Sequence, residues 1–186
     1  MTVSTALAIL LSGALATLFW LTVSFSVSIK GLGYGGVIES IGNDIRTERL
    51  KPFTRGVLIY LVIGLLLAPL YYFLIQLFNF ENVIVSMGVS VFFGIAQGFL
   101  LMHLLVEEPY LYQPSRMVSD KLIPLSVVFW LSNMAYGVAV GACLAAYLDG
   151  GGEGIAIAGL AIMVACLIIT HFARKGAGRD LREIRH

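Results

Sequence analysis

Five stretches of this chain contain no Asp, Glu, Lys or Arg and are each long enough to cross a bilayer: Ser4–Ser28, Gly56–Phe78, Val83–Val106, Pro124–Tyr147 and Ile155–Phe172. They hold 25, 23, 24, 24 and 18 residues, and every charged residue falls between or beyond them. A helix rises 1.5 Å per residue, so about 20 residues cover the ~30 Å hydrocarbon layer. Lipid offers no hydrogen bonds, so a spanning segment must satisfy its own backbone, as a helix does. The sequence therefore predicts an all-α integral membrane bundle of five transmembrane helices, one domain over residues 1–186. Composition agrees, at 59% hydrophobic and 12% charged, where a soluble domain is about a quarter charged. Such hydrophobicity excludes disorder. Two cysteines do not make a disulfide scaffold. A net charge of +1 leaves no electrostatic footprint for nucleic acid.

The first span lacks the basic leader of a signal peptide and exceeds the usual apolar core of one, so it reads as a span. Near its end, Thr22 to Ile29 alternates polar and apolar with the period of a strand. A lone strand in lipid would leave its backbone unpaired, whereas Ser and Thr hydroxyls can bond back to the preceding helical turn. Helix is the expectation there.

Orientation follows from Lys and Arg in the connections. None precedes the first span; the loop 29–55 carries Lys30, Arg46, Arg49, Lys51 and Arg55. The next turn has none, the third loop has Arg116 and Lys121, the fourth turn has none, and the tail 173–186 has five. This strict alternation predicts an outside N-terminus and a cytoplasmic C-terminus, in a plasma (inner) membrane. Both outer turns, 79–82 and 148–154, are short and carry only Glu81, Asp149 and Glu153 as charges. In the first cytoplasmic loop, Val37, Ile38, Ile41 and Ile45 recur at helical spacing, which predicts a short amphipathic helix on the inner leaflet, ended by Pro52. Just before it, Gly31-Leu32-Gly33-Tyr34-Gly35-Gly36 satisfies G-x-G-x-x-G, but a membrane span precedes it rather than the strand a dinucleotide site needs. The glycines read as a flexible exit from the first span. The basic tail fits attraction to an anionic membrane surface, or docking onto a protein partner.

Small residues mark where helices approach. Gly94 and Gly98 in the third span, and Gly137 and Gly141 in the fourth, recur at four-residue steps. These faces are expected to pack against each other, or one of them against another chain. Gln97 and Asn133 lie near the middles of the same two spans, where an amide needs a partner, and each is the economical partner for the other. Pro69 is expected to kink the second span, with Tyr71 and Tyr72 toward the outer boundary.

The residues with most chemistry are His103 and His171. His103 precedes Glu107 by four residues on one helix face, and both histidines lie near the inner boundary. Imidazoles with carboxylates suit a transition metal, formed by His103, Glu107 and His171. Two histidines on different helices suit haem, and hydrogen bonding suits a quinone. The plainer reading is a pair of solvated boundary histidines, because no HExxH, paired E-x-x-H or Cys-x-x-Cys accompanies them. Cys143 and Cys166 lie at different depths and read as small hydrophobes. Ionisable groups, which proton and ion pathways place in the membrane, are missing from the spans apart from the two histidines. No catalytic set emerges, which leans away from an enzyme. The leading expectation is a non-catalytic structural or accessory subunit of a larger membrane complex, with lipids and other membrane subunits or further copies as partners. One alternative is a haem-, metal- or quinone-binding redox subunit using His103 and His171. The other is a small oligomeric transporter or channel.

Overall fold

The computed structural model describes residues 2–29, 38, 42, 50–78, 82–105 and 125–183. Four long helices account for almost all of them: α1 (Val3–Ile29), α2 (Pro52–Leu77), α3 (Val83–Leu105) and α4 (Leu125–Glu183). There is no strand among the described residues. The alternating segment that ends the first span is helical through Ile29. Thr17 and Thr22 donate their hydroxyls to the carbonyls of Gly13 and Leu18, at 2.7 and 2.8 Å. Pro52 opens α2 from its first turn, where a missing N–H costs nothing. The Asn82 side chain caps α3, accepting from the backbone N–H of Ile84 at 2.9 Å and of Val85 at 3.3 Å.

Four helices are long and apolar enough to cross a membrane, where the sequence predicts five spans. The first three match α1, α2 and α3. The difference lies in α4, which runs through both of the last two predicted spans. Its apolar stretch, Phe129–Ala173, is 45 residues long, or ~68 Å of straight helix, about twice the hydrocarbon thickness. The helix is not straight. Gly151 alone has non-helical angles, φ 59° and ψ −135°. A Cβ on Gly154 would strike the carbonyl of Ala146, although residues eight apart in a straight helix are separated by ~12 Å. The two arms of α4 therefore lie against each other, turning at a single residue where the sequence predicts a seven-residue turn.

The folded-back α4 organises the bundle by touching α1, α2 and α3, and α1 also packs on α2. Small residues set these approaches. A Cβ on Gly13 would come within 2.8 Å of the Ala68 methyl, which fixes α1 against α2. A Cβ on Gly159 would meet a Leu15 methyl at 3.0 Å, which fixes the second arm of α4 against α1. Of the predicted amphipathic segment, only Ile38 and Gly42 are described. Both are helical and buried against the start of α2, with the carbonyls of Ile38 and Pro52 crowding the Gly56 and Gly42 positions. Val37, Ile41, Ile45 and the Gly31–Gly36 run lie outside the described residues.

Burial departs from that of a water-soluble bundle: the core is mixed apolar and polar, and much of the outer surface is large and apolar. Ser12, Thr17, Ser90, Ser132 and Asn133 are buried, while Ile84, Phe92 and Leu66 are 80%, 74% and 72% exposed. Contiguous apolar surface of this kind is unfavourable in water and natural against lipid.

Gly151 supplies a direct test. Its backbone lies in a region that side chains strongly disfavour, at a cost of about 1–3 kcal/mol. Gly150 and Gly152 are helical, and a Cβ at either meets nothing within 4 Å. In detergent unfolding, Gly151→Ala should lose about 1–3 kcal/mol, while Gly150→Ala and Gly152→Ala stay neutral or gain slightly. Equal effects at all three positions would contradict a turn at Gly151.

Candidate functional site

A run of interior hydrogen bonds forms one seam across α2, α3 and α4, which ring packing extends to α1. It begins with α3 and the first arm of α4, which come close only because glycines allow it. A Cβ on Gly94 would lie 2.5 Å from the Asn133 carbonyl oxygen, and one on Gly98 would lie 3.1 Å from the Asn133 Cβ. From the other side, a Cβ on Gly137 would strike the Ser90 carbonyl, and one on Gly141 would lie 2.5 Å from Ser90 Oγ. The four glycines singled out from sequence thus face one contact, and two of them form the surface on which Asn133 rests.

With the backbones this close, the amides meet. Gln97 Nε2 donates to Asn133 Oδ1 at 2.9 Å, and both residues are buried. Asn133 Nδ2 donates to the Phe129 carbonyl one turn back, at 2.8 Å. The Gln97 oxygen is also used, accepting the Tyr71 hydroxyl at 2.9 Å. This chain of bonds joins α2, α3 and α4, and it fixes which end of each amide is oxygen. The sequence predicts Tyr71 toward the outer boundary. It is instead 2% exposed and part of the core.

Tyr136, three residues after Asn133 on the same face, extends the seam to α1. Its hydroxyl donates to the Gly64 carbonyl on α2 at 2.6 Å. Its ring lies 5.6 Å from that of Tyr71 and 5.2 Å from that of Trp20. Trp20 in turn packs on Tyr60 with ring centroids 4.2 Å apart. Tilted aromatic pairs of this kind contribute about 0.5–1.5 kcal/mol each beyond their burial. Among the described residues, the Trp20 indole N–H has no hydrogen-bond partner, nor do the Ser12 and Ser26 hydroxyls. From the sequence alone Trp20, Tyr60 and Tyr136 do not stand out, and Tyr71 is placed at the boundary rather than in the core. Their signal is weak: large aromatics with polar tips scattered through apolar spans.

Chemically, amides, phenols and an indole can orient partners and hold helices in register. They do not form a nucleophile with its base, and none is a charged group. Of the two histidine candidates, only the side chain of His171 is described. His171 is exposed on α4, its ring 5.8 Å from that of its neighbour Phe172. His103 lies within α3, but its side chain and Glu107 are outside the described residues. Among the described residues, no group of three or more His, Cys, Asp or Glu could hold a metal ion. Cys143 and Cys166 are both free and buried.

The amide pair is testable by a double-mutant cycle. Gln97→Leu or Asn133→Leu alone leaves a buried partner unsatisfied, at about 1–3 kcal/mol. Side-chain hydrogen bonds inside membranes average about 0.6 kcal/mol and reach about 1.7. A coupling energy in that range is expected from Gln97→Leu, Asn133→Leu and the double variant in detergent unfolding. Additive effects would mean that the bond contributes nothing. Compared with known protein families, with curated proteins and with solved structures, the chain matches none.

Proposed function

We propose that this protein is a multipass membrane protein that crosses the bilayer five times, N-terminus outside and C-terminus cytoplasmic, and acts as a non-catalytic structural or accessory subunit of a larger plasma-membrane complex. The observation that carries the reading is a large apolar outer surface around an interior that holds a hydrogen-bonded polar seam. Amides and phenols of the interior bond to one another, while large aliphatic and aromatic side chains cover the outside. A surface of that kind suits lipid and the apolar faces of neighbouring subunits.

Five crossings are favoured over four by the length of α4 and its turn at Gly151. They also agree with the alternation of Lys and Arg between the two sides of the chain. The accessory role is favoured by the chemistry of the seam, whose groups are committed to holding four helices together. Short connections at the outer end leave little chain there to form a soluble domain.

Purification from membranes in a mild non-ionic detergent is the test. The expected outcome is a stoichiometric partner, a different membrane protein, that stays with the chain through size exclusion. A preparation that runs alone at full recovery would contradict the accessory role while leaving the membrane assignment in place.

A further inference from the structure

A groove of about 600 Å³ opens between the two arms of α4 beside the start of α3. That volume lies within the range of about 300–1,000 Å³ typical of small-molecule sites. The space exists because its walls are built from Ala142 and Ala146 on one arm and Ala158 and Ala161 on the other. The lining is otherwise largely apolar. At the end where the chain turns, Asp149 and Glu153 border the groove, and both are exposed.

The charge of this end is one-sided. No Lys or Arg occurs before Lys30, between Arg55 and Arg116, or between Lys121 and Arg174. Those stretches contain every described residue that lines the groove, so among the described residues no basic side chain on its walls pairs with the two carboxylates. The two carboxylates therefore favour a cationic head over a neutral or anionic one in whatever enters.

We propose that the groove binds an amphiphile with a single alkyl chain and an ammonium head, drawn from the surrounding leaflet. The alkyl chain lies along the alanine walls, and the ammonium sits between Asp149 and Glu153. A fatty acid would bring like charge to the carboxylates, and a neutral long-chain alcohol would leave them with water alone. The membrane reading enters only as the source of this ligand, and fractionation of the chain with membranes tests that reading separately.

The experiment uses the full chain in non-ionic detergent, with hexadecylamine, hexadecanol and hexadecanoate as probes and native mass spectrometry as the readout. The amine should be retained one to one, and the alcohol and acid about tenfold more weakly, as expected for two partly exposed charge contacts. Asp149→Asn with Glu153→Gln should remove that preference while leaving thermal stability unchanged. Ala142→Phe, which fills the groove, should weaken all three probes. Equal retention of amine and alcohol, or an undiminished amine preference in the double variant, would overturn the proposal. So would a dimer that Ala142→Phe dissociates, because a second copy would then be the occupant. The carboxylate variants are exposed substitutions, so the test stands even if Ala142→Phe fails to fold.

Discussion

Hydrocarbon cannot accept or donate a hydrogen bond, and the rest of this structure depends on that constraint. Every donor and acceptor that a membrane helix carries must find its partner within protein. Here the central solution is the bond between Gln97 and Asn133, closed on one side by Tyr71 and on the other by the Phe129 carbonyl. The glycines serve the same end. Side-chain amides of this length meet only when the helix backbones nearly touch, and Gly94, Gly98, Gly137 and Gly141 remove what would keep them apart. Tyr136 then carries the linkage to α2 and, through the stack with Trp20, to α1.

This arrangement is better suited to rigidity than to chemistry. Each residue of the amide chain is already engaged, so a ligand or proton would have to displace bonds made within the protein. The fold-back of α4 has the opposite character. At Gly151 the chain turns in one residue, and the alanine-rich arms on either side leave an opening instead of a filled interface. The protein thus combines a closed polar seam inside with an open apolar groove that ends in acid.

Much of the architecture was legible in the residues. Long charge-free runs identify α1, α2 and α3, because a span needs length and apolarity and little else. Gln97 and Asn133 were recognisable as partners, since isolated amides in spans need one. What could not be read depends on neighbours distant in sequence. Gly94 and Gly98 looked like a packing face separate from the amide pair, and only the fold shows that they lie against Asn133. Tyr71 carries the signature of a boundary aromatic, yet α3 places an amide oxygen within its reach. Gly150, Gly151 and Gly152 are identical as residues, and backbone angles alone reveal which one turns.

The central claim is a bundle that crosses the membrane five times, and site-directed thiol labelling tests it most directly. Single cysteines at Thr2, Gly150, Lys51 and His186 would be treated with a membrane-impermeant maleimide in intact cells and again after permeabilisation, with Cys143 and Cys166 replaced by Ala. The account predicts that Thr2→Cys and Gly150→Cys react from outside, and that Lys51→Cys and His186→Cys react only after permeabilisation. Labelling of Gly150→Cys and His186→Cys from the same side would contradict it.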